Sequence, residues 1–536
     1  LSDDAGGGSP LGYSMSIGHG GVPNATQVSR LGQFIHSTLY GVKPDTAKPP
    51  LKSLQVRHDD PWAPGPGTED GIRMTMYYYD NASAPSNSTS GHFAYNYTMQ
   101  DHCGLDGIQG GPNWCMSENN ANATYRAFNY PHHTASYYNM YRVLRYYPDV
   151  AAAAESKMSA NTTLEPWSWY LHRAANTTVK FGAPTVGVMD GTVFREVLRS
   201  VKEEAEDDPA TWSSVAGVIE ANMQQRAAAF AGQHYPYGSE FAFDTTGQEE
   251  VVVWLLHFAN SAGGAAGNYT AAAKRTVDHV LSYMRSSPTW AYHGGTRSWG
   301  DLGNNGKWMV SHSTASNFET RGNMHYRAGL NMIPLIEWFR ANPDEYFLLE
   351  IAMGAQAGQL MSVDPDTGAP SMMLHMLPHI NEYDPHSGDF GLGFFGHTLE
   401  AGAYFVHHET LGPVCFLCDI VESGNASSST SSSFVTRDSY RQRVFLEPLS
   451  LLLEADTGII ESVRLDMAGK QVTVTFAPPP AGTSSLSFNL RRLRVTKTSK
   501  HRGDLTFTLT GPSDAKLRRG AYEFAAAEPD ATISWP

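Results

Sequence analysis

The stretch FNYPHHTASYYNMYRVLRYYPD, Phe128 to Asp149, holds two histidines, six tyrosines and two arginines in one helix-length window. Its apolar and aromatic side chains recur at three- and four-residue steps, which predicts a helix from Thr134 to Tyr147 with the histidine pair at the loop-to-helix junction marked by Pro131. On such a helix His133, Tyr137 and Tyr141 share one face, and Tyr138, Arg142 and Arg145 lie on an adjacent one. For the later tyrosines the plain reading is a core-facing seam flanked by solvated arginines. His132 and His133 beside Asn129 are harder to assign to packing, because imidazoles titrate near neutrality and serve as acid–base groups.

The same spacing recurs downstream at 192–206, 212–230, 248–259, 269–284, 332–340 and 343–361, where Pro343 and Asp344 suit a first turn. Helix after helix with Gly/Pro-rich loops between is the pattern of a helical toroid or an irregular bundle. SGNASSSTSSSF (Ser423–Phe434) cannot pack a core, and the chain beyond it alternates apolar and polar residues as strands do. The expected organisation is an α+β multidomain chain. An irregular N-terminal region (1–127) leads into an (α/α) toroid (128–418), followed by a Ser-rich loop (419–432) and an antiparallel β-domain (433–536).

A net charge of −15 without a long basic stripe argues against a nucleic-acid surface. The longest apolar runs, such as Val251–Leu256, are far shorter than a membrane span. Leu1 is not an initiator methionine and no leader-like segment follows it, so the chain reads as a mature or trimmed product. Asn-X-Ser/Thr sequons at Asn24, Asn81, Asn87, Asn96, Asn122, Asn161, Asn176, Asn268 and Asn425 suggest a glycosylated, secreted, extracellular protein. The cysteines form two local pairs, Cys103/Cys115 and Cys415/Cys418, which fit two short-range disulfides better than a zinc site.

Further constellations stand out. In HYPYGSEFAFDTTGQEEVVVWLLHFAN (His234–Asn260), Glu249 and Glu250 suit the first turn of a helix, while Glu240 lies among aromatics before it. WAYHGGTRSWGDLGNNGKW (Trp290–Trp308) and RGNMHYRAG (Arg321–Gly329) gather Tyr292, His293, Arg297, Trp299, Arg321, His325 and Tyr326 in an otherwise acidic chain. There an anionic sugar could stack on aromatic faces and meet guanidinium groups, although a loop pinned by tryptophan packing would look the same. His379, Asp384, His386, Asp389 and His397 could ligate a metal, but a hydrogen-bonded loop explains them more simply. No P-loop, dinucleotide fingerprint, GxSxG elbow or HExxH is present in these segments.

The blocks FNYPHHTASYYNMYRVLRYYP, YGSEFAFDTTGQEEVVVW, YHGGTRSW and SGDFGLGFFGH span Phe128 to His397, about half the chain. On these blocks the chain resembles a family of large secreted carbohydrate-active proteins often described as a domain of unknown function. It looks like polysaccharide lyases that remove L-rhamnose from D-glucuronate in arabinogalactan side chains, and more broadly like helical-toroid lyases. The resemblance implies a toroid paired with antiparallel β-domains and a site of Tyr, His, Asn and Arg. It also implies a β-sandwich ahead of the toroid, expected to be missing here either because it was cleaved and stays on as a separate chain of the same precursor or because this lineage lacks it. The expected partner is an acidic plant or microbial polysaccharide.

β-Elimination requires a base at C5 of the uronate, an acid at the glycosidic O4, and a group that neutralises the carboxylate as the enolate develops. His133, Tyr137, Tyr292 and His293 are the candidate acid–base residues, and Asn129, His132, Arg297, Trp299, Arg321, His325 and Tyr326 the candidate substrate-binding ones. No cofactor is required, although a divalent metal such as calcium could take the neutralising role. One rival is an inverting glycoside hydrolase with Glu240 as acid and Asp244, Glu249 or another carboxylate as base. The other is a non-catalytic glycan-binding protein.

Overall fold

A computed structural model of the chain describes residues 18, 21, 23–41, 53–61, 63–74, 118–127, 129–158, 162–181, 187–189, 191–234, 247–259, 266–284, 327–360, 395–423, 431–478, 490–499, 503 and 505–536. Helices come first: α1 (Ala25–Phe34), α2 (Glu118–Asn122), α3 (Asn129–Tyr146), α4 (Pro148–Glu155), α5 (Trp167–Lys180), α6 (Thr192–Asp207), α7 (Pro209–Gly232), α8 (Gln248–Ala259), α9 (Ala266–Tyr283), α10 (Arg327–Ala341), α11 (Tyr346–Leu360) and α12 (Phe395–Glu400). Strands follow: β1 (Ala403–His408), β2 (Gly412–Phe416), β3 (Cys418–Ser423), β4 (Ser431–Thr436), β5 (Arg443–Leu446), β6 (Leu451–Ala455), β7 (Ile460–Asp466), β8 (Gln471–Phe476), β9 (Leu490–Lys497), β10 (Thr508–Gly511), β11 (Lys516–Arg518), β12 (Ala521–Ala525) and β13 (Asp530–Ser534).

The helices form repeating pairs in two layers. Val251 to Leu255 on α8 are buried all round, as expected of a helix enclosed by others. Its neighbour α7 instead buries Trp212, Ala216, Ile219, Met223, Ala227 and Phe230 at three- and four-residue steps and exposes most of the remainder, the pattern of an outer helix. The inner helices run parallel. Tyr138 bonds Ser200 (2.9 Å) and, one turn later, Tyr141 donates to Glu204 (2.8 Å), so α3 and α6 advance together. Glu249 at the start of α8 meets Thr192 at the start of α6, and Arg195 pairs with Glu337 of α10 at 2.7 Å. Ile333, one turn before Glu337, meets Gly396 together with Thr192, so α10 also advances with α6. The amino-terminal ends of α3, α6, α8 and α10 therefore lie at one end of the layer, while α5, α7, α9 and α11 pack against them.

The helix expected from Thr134 begins earlier, at Asn129, because Pro131 falls in the first turn where its missing N–H is no loss. Pro343 and Asp344 lie in the turn before α11 and not in its first turn. Pro334 sits inside α10, which starts at Arg327 instead of at 332.

The strands build two stacked sheets in the orders β11-β12-β9-β6-β5-β1-β2 and β10-β13-β8-β7-β4-β3. Pairing is antiparallel except that β1 runs parallel to β5, since the chain leaves the first sheet for β3 and β4 before returning. Phe405 and Phe434 stack across the two sheets at 5.2 Å, whereas Tyr404, Val406 and Phe445 point the other way into the helical core. Strand structure begins at Ala403, ahead of the 418/419 division expected from composition, and β3 and β4 run into the segment expected to be a loop. Short β-branched and aromatic runs such as AYFVHH are ambiguous between helix and strand until their pairing partner is known. The Cys415–Cys418 disulfide straps β2 to β3 where the chain crosses between sheets, with Leu417 in the left-handed region (φ 55°) at the corner.

The helical layer meets the first sheet through a buried ionic joint. Glu196, Arg199, Glu203, Glu204 and Asp207 recur at three- and four-residue steps along α6. Opposite them, Asp456 bonds Arg142 of α3 (3.3 Å) and Arg492 and Arg494 of β9 (2.9 Å each). Glu203 also receives Arg494 and Arg492, and Glu204 receives Arg145 and Arg519. The arginines of the opening stretch, expected to be solvated, are thus ion-paired: Arg142 is buried against Asp456 of the neighbouring β-domain, and Arg145, largely buried, pairs with Glu204 of α6.

Candidate active site

The end of the layer where the inner helices begin concentrates buried polar side chains. On α3 these are Asn129, His132, His133, Thr134 and Ser136; on α6, Thr192; on α12, His397 and Thr398. Tyr138 of α3 contacts Phe395 of α12 edge-on at 5.8 Å. Gly396 leaves room for Thr192 and for Ile333 of α10, since a Cβ there would lie 3.1 Å from Thr192 Oγ1 and 2.6 Å from Ile333 Cδ1. α12 therefore lies against α3 at Tyr138, against the first turn of α6 at Thr192 and against α10 at Ile333, and the end of the layer where the inner helices begin is its mouth.

Within that mouth Asn129 Oδ1, His133 Nδ1, Thr134 Oγ1 and Thr192 Oγ1 are buried without a hydrogen-bond partner. Buried polar atoms are normally satisfied, so such a set is a place where a ligand or ordered water fits. Burial lowers the His132 pKa to about 4; burial, aided by the neighbouring His132, lowers that of His133 to about 3. Both imidazoles are neutral at pH 7, the form in which a base accepts a proton.

Two sequence candidates are engaged elsewhere. Asn129 was expected to hold a carboxylate through its amide hydrogens, but Nδ2 donates to the carbonyls of Arg73 (3.1 Å) and Met74 (3.0 Å), leaving only Oδ1 available. Tyr137 was expected as an acid–base group. Its hydroxyl donates to Gln55 Oε1 at 2.5 Å, its ring meets Trp169 edge-on, and burial raises its pKa well above 10. That environment suits an anchor for the loop at 53–74 rather than a proton shuttle. Tyr137→Phe is expected to lose about 1–3 kcal/mol of stability by orphaning Gln55 Oε1, with turnover close to wild type. Denaturation and rate measurements on the same preparation check both parts.

Glu249, a candidate hydrolytic base, accepts the N–H groups of Gly191 (2.6 Å) and Thr192 (2.7 Å) on its two oxygens, so it serves the neighbouring helix. Glu250 pairs with Arg226 at 2.7 Å. The doublet was legible as first-turn carboxylates, but Glu249 caps α6 and not its own helix, and Glu250 accepts the Val188 N–H ahead of α6, which no local signal reveals. Thr192 stood in the sequence only as the start of the helix expected at 192–206, with no sign of a functional role.

Glu240, Asp244, Tyr292, His293, Arg297, Trp299, Arg321, His325 and Tyr326 lie outside the described residues, as do His379, Asp384, His386 and Asp389. The same holds for Cys103, Cys115, Asn81, Asn87, Asn96, Asn161 and Asn425. Among the remaining sequons, Asn24 is exposed and caps α1, Asn268 is exposed on α9, and Asn122 is half-buried. Asn176 is also half-buried, and its Nδ2 donates to Asp70 at 3.1 Å. Among the described residues no group of His, Cys, Asp and Glu is arranged to hold a metal, and no helix is long and apolar enough to cross a membrane.

The family described as "Family of unknown function (DUF5695)" matches residues 1–531. No curated protein and no solved structure matches the chain.

Proposed function

We propose, for a chain that belongs to the DUF5695 family of unknown function, that it is a secreted polysaccharide lyase acting at O4 of a glucuronate, including rhamnosyl-glucuronate, by β-elimination. The parallel inner helices with their outer partners are compatible with an (α/α) toroid, the architecture that the sequence resemblance implies. The observation that carries the reading is the buried His132–His133 pair on the first turns of α3, with His133 Nδ1 unpartnered beside Thr134 and Asn129 Oδ1.

In this reading His133, neutral as buried, takes the C5 proton. A uronate carboxylate entering the mouth favours the imidazolium that forms and so offsets the depression caused by burial. Thr134 and Thr192 offer hydroxyl hydrogens to the sugar or to the developing enolate. His325 and Tyr326 immediately precede Arg327, the first residue of α10, in sequence, and Glu240 precedes α8 by a few residues. The arginines and aromatics of 290–327 remain the proposed carboxylate and ring contacts, with Tyr292 and His293 the proposed acid. The hydrolytic alternative loses Glu249, whose oxygens are both occupied.

The test incubates the protein with gum arabic and with a glucuronan while following ultraviolet absorbance and the sugars released. Rising absorbance with free rhamnose is expected, because elimination leaves an unsaturated uronate. Sugar release without absorbance would replace the lyase by a hydrolase, and binding without release would leave a glycan-binding protein.

A further inference from the structure

We infer that Glu249 and Glu250 are positioning residues that clamp the turn entering α6 and thereby set the Thr192 hydroxyl in the mouth, beside Gly396 at the start of α12. The use made of that mouth rests on the reading just proposed; the clamp itself does not.

The first turn of a helix presents N–H groups with no partner inside the helix. A local Ser, Thr, Asp or Asn ordinarily accepts them, but the residue before Thr192 is Gly191, which has no side chain and provides no cap. The acceptor comes instead from α8: Glu249 Oε2 takes the Gly191 N–H and Oε1 the Thr192 N–H. Glu250 continues the clamp, accepting the Val188 N–H at 2.5 Å, while Arg226 holds its two oxygens at 2.7 and 2.8 Å. Trp254, one turn further along α8, donates from Nε1 to the Gly191 carbonyl at 3.0 Å. Four backbone groups of this short turn are thus held by three side chains of one helix.

At two positions the turn also passes too close to α8 and the residue before it to carry a side chain. A Cβ on Gly191 would lie 2.6 Å from Glu250 Cβ, and one on Gly187 would lie 2.5 Å from the Gly247 carbonyl oxygen. Both glycines are explained by this approach. Thr192 Oγ1 emerges from the clamp buried and unpartnered against Gly396. QEEVVVW, the end of the block YGSEFAFDTTGQEEVVVW, is then a clamp sequence whose carboxylates act through Thr192 and not on the substrate.

Only a carboxylate accepts on both oxygens; an amide would turn one of them into a donor aimed at an N–H. The experiment compares wild type with Glu249→Ala and Glu249→Gln by thermal unfolding, by hydrogen exchange at Gly191 and Thr192, and by turnover of the glucuronate substrate. Each measurement is made with formate and with neutral formamide. Expected are a lower Tm in both variants, exchange faster by about tenfold or more, a lowered kcat with little change in KM, and recovery of all three in Glu249→Ala with formate but not formamide. Wild-type exchange and Tm in Glu249→Gln would overturn the clamp. Recovery of Tm by formate without recovery of kcat would overturn the positioning role. Absence of turnover in the wild type would sink the lyase reading, leaving the clamp to be decided by Tm and exchange.

Discussion

Asp456→Ala is expected to destabilise the protein by about 3–5 kcal/mol, the cost of breaking a buried ion pair by removing one partner. Asp456 is the shared acceptor of Arg142, Arg492 and Arg494, and its loss leaves three buried guanidinium groups with fewer anions than they were arranged around. Because Arg142 belongs to α3 and the other two to β9, the same change loosens the seam between helices and sandwich. Chemical denaturation followed by tryptophan fluorescence measures the effect; a loss below about 1 kcal/mol, the scale of an exposed pair, would mean that the joint is not held by this residue.

The sign of its pH dependence follows from the carboxylates. Burial alone would raise the Asp456 pKa, but Arg494, Arg142 and Arg492 outweigh it and hold the group well below its usual value. Glu454 in the same joint is likewise lowered to about 2, burial being overcome by Arg199, Arg443 and Arg494. A depressed carboxylate contributes stability that is complete above its unfolded pKa, near pH 4, and is lost as pH falls through the folded value. The difference between wild type and Asp456→Ala should therefore be constant from neutrality down to about pH 5 and shrink below that. His132 and His133 add an earlier loss: held neutral when folded, they favour unfolding progressively as pH drops below about 6.5.

His133→Gln is expected to lower turnover on a glucuronate polysaccharide by about a hundredfold or more, the range for a lost acid–base group, with a much smaller change in Tm. Glutamine keeps a polar atom in the mouth but cannot take up a proton. His132→Gln, which removes the neighbour and leaves the base, should cost less. Wild-type turnover in His133→Gln would exclude this imidazole as the base and transfer the role to Tyr292 or His293. Comparing kcat with KM across the pair separates loss of chemistry from loss of binding.

What the sequence by itself determined is the class of most of the longer segments, although it left the strands from Ala403 to Ser423 to the toroid and the loop. Three- and four-residue spacing marked α3, α6, α7, α8 and α9, two-residue alternation marked the β-domain, and the Cys415/Cys418 pair was legible as a local bridge. These signals are local, because periodicity records which face of one element is buried. Tertiary structure alone decided what each polar residue is for. Tyr137 and His133 stand one turn apart on α3, yet Tyr137 is tied to Gln55 from a loop far earlier in the chain, while His133 Nδ1 is left without a partner. Arg142 pairs with an aspartate more than three hundred residues later, and Glu249 caps a helix that precedes its own. A buried charge or donor is satisfied by whichever element the fold brings within about 3 Å, and that distance is set by packing between segments whose separation along the chain carries no trace of it.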